Sequence, residues 1–216
     1  MQNELNKVRF SVKPLKSNDN KVVELARTVG IHPLAYQELP YDPEYSFYAG
    51  RLNPEVLSHA TADEMYWKVR QEVIFRHTGE HPYEISGPDA EKLLQKIFTR
   101  DISKVKVGRC SYQFACYNDG GMLTDGVLLK LEENKFWFVQ ADGDLFSWYK
   151  AHTDNLNVKI SDPDVWVSQI QGPKSMDLLK VLSKETFPEN WKYFDWKEIT
   201  IPVSYTHLRA HETSCD

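Results

Sequence analysis

A pattern of strand, glycine, proline and helix occurs twice in this 216-residue chain. Residues 84–97 read EISGPDAEKLLQKI, and residues 169–182 read QIQGPKSMDLLKVL. A proline suits the first position of a helix, because its missing N–H would have no partner there and its φ angle is already helical. The pattern therefore predicts two strand–turn–helix units whose helices start at Pro88 and Pro173.

The two copies lie 85 residues apart. This spacing is longer than that of solenoid repeats, so we interpret the pair as an internal duplication rather than an array. Strands and helices in this order predict an α+β fold, in which helices cover an antiparallel or mixed sheet.

The region between the two copies predicts a β-hairpin. Two β-rich runs, residues 110–117 and 122–131, flank the sequence Asn-Asp-Gly-Gly at 118–121. Glycine at such a turn permits the positive φ angles that a tight hairpin requires. An aromatic third strand is predicted at 135–141, after which Asp142 or Asp144 would cap a helix running toward residue 152.

Polar residues gather at two places on these predicted strands. Thr124 and Asp125 follow the glycine turn, whereas Gln140, Asp142 and Asp144 lie at the end of the third strand. We expect the two clusters to converge on one pocket.

The first 60 residues differ in character from the rest. A short amphipathic helix is predicted from Val22 to Val29 and stops at Gly30, and a segment rich in proline and aromatic residues follows it. A flexible linker would be poor in aromatic rings, so we expect ordered loop there. Thr61 and Glu64 have the spacing of a capping box, which starts a helix and opens a main domain over residues 61–201.

The end of the chain is less regular. Residues 187–196 predict a short aromatic helix, and residues 197–201 a final strand. Residues 202–216, PVSYTHLRAHETSCD, resemble a translated sequencing adapter, so we expect a non-native tail and a natural protein that continues past residue 201. The alternative is a functional tail that uses His207 and His211.

Composition narrows the possible partners. The formal charge is -5 with no basic stripe, which argues against a nucleic-acid or anionic-membrane surface. No apolar run approaches the roughly 20 residues of a membrane span, and we expect a cytoplasmic protein.

Three cysteines do not make a disulfide framework. His77 and His81 are four residues apart, a spacing that brings two histidines to one metal ion only on a helix. Gly79 and Pro82 argue against a helix there, so we predict no metal.

Three stretches together resemble a known family. They are EISGPDAEKLLQKIFTRDISKVKVGRCSYQFACYNDGGMLTDGVLLKL, FWFVQADGDLFSW and QIQGPKS. They are similar to the folate-binding region of the glycine-cleavage T-protein (aminomethyltransferase) family, and closest to its branch of dimethylsulfoniopropionate demethylases and folate-dependent O-demethylases. The resemblance implies a folate-binding domain that uses tetrahydrofolate as cofactor and transfers a one-carbon group to it. It also implies that a following domain, absent here, closes the cavity.

The resemblance also implies roles for particular residues. Tyr112 stands where the family has a folate-contacting tyrosine. The aminomethyltransferases carry an Asp-Asp pair after the glycine turn with the first acid catalytic, whereas this chain has Thr124 and keeps Asp125. We therefore predict Asp125 as the catalytic carboxylate, and Tyr112, Thr124, Gln140 and Asp142 as cofactor-binding residues. The alternatives are that Asp125 braces the turn, that Tyr112 packs in the core, and that Asp142 and Asp144 are helix caps.

The missing acid favours methyl transfer over aminomethyl transfer. Release of ammonia needs a carboxylate to manage charge and protons, whereas displacement of a methyl group from a sulfonium releases a neutral thioether. We therefore predict a tetrahydrofolate-dependent methyltransferase or demethylase acting on a small methyl donor. An aminomethyltransferase, a non-catalytic folate-binding protein and an interaction module remain alternatives, and the residues do not indicate an oligomeric state.

Overall fold

A computed structural model describes residues 30–183, 185–189 and 191–201. The predicted helix that starts at Val22 and the tail with His207 and His211 lie outside the described residues. Within the described ranges, no helix is both long enough and apolar enough to cross a membrane.

Along the described chain, each α-helix follows a group of two or three strands. The helices are α1 (Ala62–Gln71), α2 (Ala90–Ile97), α3 (Leu145–Ala151) and α4 (Ser175–Leu182). The strands are β1 (Glu44–Tyr48), β2 (Arg51–Val56), β3 (Ile74–His77), β4 (His81–Ser86), β5 (Cys110–Cys116), β6 (Met122–Glu132), β7 (Lys135–Gln140), β8 (Lys159–Ser161) and β9 (Ser168–Gln171).

The largest sheet has five strands in the order β5-β6-β7-β4-β8, and all of its neighbouring pairs are antiparallel. The β5–β6 hairpin turns at Gly120, whose φ is 88°, and its register pairs Phe114 with Asp125. The predicted hairpin, the aromatic third strand and the α+β class are thereby confirmed.

Helices α2 and α3 cover one face of this sheet. The core between them contains no exposed side chain and includes Leu93, Leu94, Leu128, Phe136, Phe138 and Tyr149. Side chains alternate between the faces of a strand, so every second residue of β6 points into this core. The intervening residues of β6, Asp125 among them, lie on the opposite face and are partly exposed.

The chain divides into two compact units. The first holds the five-stranded sheet and the β1–β2 hairpin, and the second holds α1, α4 and most of β3 and β9. Helix α1 begins with the predicted capping box, because the Thr61 side chain accepts from the Glu64 amide and the Glu64 carboxylate accepts from the Thr61 amide. In the second unit Lys174 forms an ion pair with Glu72.

The duplicated unit is present, but its prolines do not start the helices. Helix α2 begins at Ala90 and α4 at Ser175, two residues after each proline. The amides of Ala90 and Ser175 donate to the carbonyls of Gly87 and Gly172, which closes a tight turn around each proline. Proline at the second position of such a turn is favoured by the same fixed φ angle that suits a helix start.

Three further expectations differ from the structure. Residues 187–189 and 191–196 form no helix, and residues 197–201 form no strand. Instead, the Phe194 carbonyl accepts from the Cys110 amide, and the Trp196 indole donates to the Lys130 carbonyl, so tertiary contacts hold a turn at Tyr193 and Phe194 against the sheet. The expected loop before residue 61 contains the β1–β2 hairpin and two 3-10 turns.

Candidate functional site

The face of the five-stranded sheet away from α2 and α3 carries, near the β5–β6 hairpin, aromatic and apolar side chains around Asp125. Tyr112 and Phe114 of β5 lie beside Asp125 and Val127 of β6, because residues paired in register share a face. The Tyr112 and Phe114 rings meet edge to face with their centres 5.3 Å apart. Val139 of β7 extends this open face, since it pairs with Val127.

Tyr112 and Asp125 are joined directly. They are diagonal neighbours across the hairpin, and the Tyr112 hydroxyl donates to Oδ2 of Asp125. This hydrogen bond to the carboxylate is the main reason why the pKa of Tyr112 is raised, and desolvation and the charge of Asp125 add to the effect. The phenol therefore stays protonated and remains a donor, while the carboxylate keeps further lone pairs for another donor.

Thr124 and Gln140 lie on the other face, toward the helices. Thr124 is 5% exposed and Gln140 is 0% exposed. The Thr124 hydroxyl donates to the Asp142 carbonyl at 2.8 Å, and the Gln140 amide donates to the Gly143 carbonyl at 2.8 Å. The structure thus brings Thr124 to the second predicted cluster but leaves Asp125 on the opposite face, and the Thr124 and Gln140 side chains hold the loop after β7 rather than line the open face. Their roles in cofactor binding stay predictions.

Asp142 links that loop to the β1–β2 turn. Its Oδ1 accepts from the Ala49 amide at 2.8 Å and from the Gly143 amide at 2.9 Å. Ala49 is buried and has a φ of 49°, a conformation that costs energy for a residue with a side chain. His81 binds the Ala49 carbonyl through Nδ1 at 3.2 Å, so both the N–H and the C=O group of Ala49 are held.

Asp144 takes the role of a helix cap. Its Oδ1 accepts from the Ser147 amide at 3.1 Å, and its Oδ2 accepts from the Ser147 hydroxyl at 2.8 Å. This confirms the alternative that the sequence left open for this residue. Asp142 is not the cap of α3, so the two neighbouring acids have different structural tasks.

Tyr48 is a member of the site that the sequence did not single out. It immediately precedes Ala49, and its pKa is raised by desolvation and by the nearby carboxylates of Glu80, Asp142 and Asp125. Tyr48 in turn makes a small contribution to the raised pKa of Tyr112. No local pattern reveals this, because the β1–β2 turn meets the sheet only through long-range contacts.

The open face suits a flat ligand with N–H donors. Aromatic and apolar side chains provide a surface for ring stacking, and the Asp125 carboxylate is an acceptor beside them. A reduced pterin has both features, so the residues present fit tetrahydrofolate. Among the described residues, no group of three or more His, Cys, Asp or Glu is arranged to hold a metal ion.

Several characterised proteins are similar to this chain in sequence. It is 32% identical over 157 residues to the dimethylsulfoniopropionate demethylase DmdA of Ruegeria pomeroyi, which covers 72% of this chain and 43% of the relative. It is 33% identical over 129 residues to trimethylamine-oxide aldolase of the same organism. That match covers 57% of this chain and 16% of the relative. It is 30% identical over 115 residues to the aminomethyltransferase of Symbiobacterium thermophilum. That match covers 50% of this chain and 30% of the relative. The chain therefore spans less than half the length of each of these relatives.

A solved structure and a domain family agree with these similarities. The crystal structure of glycine cleavage system aminomethyltransferase T from Bartonella henselae superposes with a TM-score of 0.64 at 17% identity, over 72% of this chain and 44% of that one. This likeness confirms the expected fold class. Residues 32–214 match the GCVT N-terminal domain, as the resemblance of the sequence motifs implied. The chain therefore belongs to the GCVT N-terminal domain family.

Proposed function

We propose that this chain supplies a tetrahydrofolate-binding face of a one-carbon transferase, and that the group transferred is a methyl group from a small donor. The observation that carries the proposal is the Tyr112–Asp125 pair on an aromatic open face, in a chain of this family. The similarity to a demethylase over 72% of the chain supports the methyl group as cargo.

The position of Thr124 changes one argument for this choice. An acid at position 124 would point toward the helices, whereas Asp125 is on the open face with Tyr112. The absence of a first acid therefore discriminates less between methyl and aminomethyl transfer than the sequence indicated. The preference for methyl transfer rests on the similarity to the demethylase and on the chemistry of the leaving group, because a neutral thioether needs no protonation.

The chain's own residues have three tasks in this proposal. Asp125 accepts a hydrogen bond from a ring N–H of the bound pterin and fixes its orientation, and Tyr112 fixes the carboxylate in turn. Phe114 and Val127 cover one side of the ring and exclude water from it. When bound, tetrahydrofolate supplies the amine that receives the one-carbon group.

Folate binding by the chain tests the first half of the proposal. Titration calorimetry with tetrahydrofolate should show binding that weakens about tenfold or more in Asp125→Asn and in Tyr112→Phe, because each loses a charged or charge-assisted contact. Asp119→Asn and Tyr117→Phe are matched controls at the exposed hairpin turn and should bind as the unchanged chain does. Absence of binding would favour an interaction module instead.

Product analysis tests the second half. Incubation with tetrahydrofolate and a sulfonium methyl donor should yield methyl-tetrahydrofolate, with a rate about 100-fold lower in Asp125→Asn. Release of ammonia from an aminomethyl donor would instead indicate an aminomethyltransferase, the alternative that the Symbiobacterium thermophilum relative supports. Folate binding without either product would indicate a non-catalytic folate-binding protein.

A further inference from the structure

The turn between β1 and β2 is held in a strained conformation. Ala49 and Gly50 have positive φ angles of 49° and 79°, and Ala49 is buried. A residue with a side chain adopts such a conformation at a cost, so its surroundings must hold it there. The Asp142 carboxylate accepts from the Ala49 amide, and His81 binds the Ala49 carbonyl. The loop after β7 and the first residue of β4 therefore hold the turn by its two polar backbone groups.

His81 lies between two hydrogen-bond acceptors. Its Nδ1 is 3.2 Å from the Ala49 carbonyl oxygen, and its Nε2 is 2.7 Å from Oδ2 of Asp162. A carbonyl and a carboxylate only accept, so each contact requires a proton on the ring nitrogen that makes it. A neutral imidazole carries one such proton, whereas the imidazolium carries two. Both contacts are therefore made together only when His81 is positively charged.

Charged and titratable groups surround His81 from several elements. The Tyr83 ring stacks on the imidazole with the ring centres 4.7 Å apart, which suits a cation. The Arg51 guanidinium, which donates to the backbone carbonyl just before His81, opposes a second positive charge. The acids nearby are Asp162 and Asp164 in the loop after β8, Glu80 beside His81 in the chain, and Asp142 on the other side of Ala49. The charge of a histidine ordinarily changes between about pH 5 and 8, so the two contacts are gained and lost together within that range.

The turn determines where Tyr48 lies. Tyr48 directly precedes Ala49 and packs on Gly79, since a Cβ added to Gly79 would lie 2.8 Å from Cβ of Tyr48. Desolvation and then nearby carboxylates, Asp125 of the open face among them, raise the pKa of Tyr48. Its phenol therefore stays protonated and remains a donor beside that face.

We propose that His81, in its positively charged form, is a positioning residue that fixes the β1–β2 turn and thereby holds Tyr48 beside the ligand of the open face. The inference rests on the proposed function and deepens it, because it makes the affinity for folate depend on the charge of one histidine. When His81 loses a proton, the remaining one stays with the Asp162 carboxylate, the stronger acceptor. The lone pair on Nδ1 then faces the Ala49 carbonyl, and the strained turn loses one of its two supports.

The first test needs no folate. NMR of the ¹⁵N-labelled full chain between about pH 5.5 and 8.5 follows the ring nitrogens of His81, which report its charge, and the Ala49 amide, which reports the turn. The Ala49 signal should move with the same midpoint as the His81 ring. In His81→Asn it should stay in place, because asparagine keeps a donor for the Ala49 carbonyl but does not titrate. An Ala49 signal that does not follow His81 in the unchanged chain overturns the positioning role and leaves the proposed function intact.

The second test measures affinity for tetrahydrofolate by titration calorimetry over the same pH range. The unchanged chain should bind about fivefold more weakly at the high end than at the low end, the effect of about one hydrogen bond. His81→Asn should bind with an affinity that does not change with pH, and Tyr48→Phe should bind more weakly with a flatter profile. His152→Asn is the matched control, since His152 also contacts a backbone carbonyl through Nδ1, and it should keep the pH dependence.

The outcomes separate this role from the proposed function. If tetrahydrofolate binds the unchanged chain equally at each pH, or if the pH dependence persists in His81→Asn, the positioning role is overturned and the proposed function stands. If tetrahydrofolate binds at no pH, the proposed function fails and the role of His81 toward a ligand fails with it. The NMR and calorimetric profiles of the unchanged chain decide the question even if His81→Asn does not fold.

Discussion

At the scale of single residues, the site depends on one hydrogen bond. The Tyr112 hydroxyl and the Asp125 carboxylate lie on neighbouring strands, and their contact holds both groups on the open face. A carboxylate that accepts from a phenol is held in a defined orientation and keeps further lone pairs, which is what recognition of an N–H donor requires.

The ionisation of Tyr112 reports this contact. The adjacent carboxylate raises the pKa of the phenol, so Asp125→Asn should lower that pKa toward its ordinary value, and Tyr112 should lose its proton at lower pH than in the unchanged chain. An ultraviolet absorbance titration measures this, after subtraction of the curve of the Tyr112→Phe variant. Asp119→Asn, at the exposed turn, should leave the pKa of Tyr112 unchanged. If Asp125→Asn also leaves that pKa unchanged, the two groups are apart in solution.

At the scale of elements, strand β6 carries two functions on its two faces. Its buried residues join the core beneath α2 and α3, and its partly exposed residues include Asp125 and Val127. Gly126 lies between these two on the buried side, where β7 passes close to it. A Cβ at this position would lie 2.2 Å from the Val139 carbonyl oxygen and 2.8 Å from Cζ of Phe138.

Substitution of Gly126 tests how tightly the sheet is packed there. Gly126→Ala should lower the free energy of unfolding by about 3 kcal/mol or more, because the nearest obstacle is backbone and cannot rotate away. Denaturant unfolding measures the change. Gly121→Ala is the matched control on the same hairpin, since its nearest neighbour is a side-chain oxygen of Asp119 at 3.2 Å, and it should cost less than about 1 kcal/mol. Equal midpoints for the two variants would contradict the described packing.

At the scale of the whole molecule, a buried histidine pair joins distant parts of the first unit. The rings of His32 and His77 stack with their centres 3.8 Å apart. The Leu34 amide donates to Nδ1 of His32, so its Nε2 carries the proton and faces the Ser168 hydroxyl at 3.3 Å. That hydroxyl also lies 3.0 Å from Nδ1 of His77.

The environment of this pair favours neutral rings. Burial lowers the pKa of His32 to about 3, with His77 and Arg51 adding to the effect, and burial lowers the pKa of His77 to about 4. In the unfolded chain a histidine takes up its proton near pH 6.5, so below that pH the unfolded state binds more protons than the folded state. The stabilisation is therefore complete above about pH 6.5 and is lost as the pH falls toward 4.

Acid should thus destabilise the fold through these two rings. We expect Tm to fall by roughly 4 to 8 °C between pH 7 and pH 5, equivalent to about 2 kcal/mol. His32→Asn keeps an acceptor for the Leu34 amide but does not titrate, so its Tm should depend less steeply on pH over this range. Ile160→Val, a core substitution without a titrating group, should lower Tm by a similar amount at each pH. An unchanged pH dependence in His32→Asn would exclude the pair as the cause.

The sequence predicted the features that depend on neighbours along the chain. The glycine hairpin, the capping box at Thr61, a cap at either Asp142 or Asp144 and the two strand–turn–helix units were all recognisable, because each follows from contacts between residues a few positions apart. The helix and strand predicted over residues 187–201 are wrong, and at Phe194 and Trp196 the local pattern is overruled by bonds to the distant Cys110 and Lys130.

The sequence by itself determined that Thr124 and Asp125 point to opposite faces of a strand, because side chains alternate along extended backbone. Only the tertiary structure decided which face is covered, since that depends on where α2 and α3 pack. The same packing buried Thr124, left Asp125 beside Tyr112, and brought the β1–β2 turn with Tyr48 to Asp142. Such contacts join residues far apart in the chain, and the local pattern around each of them carries no sign of its partner.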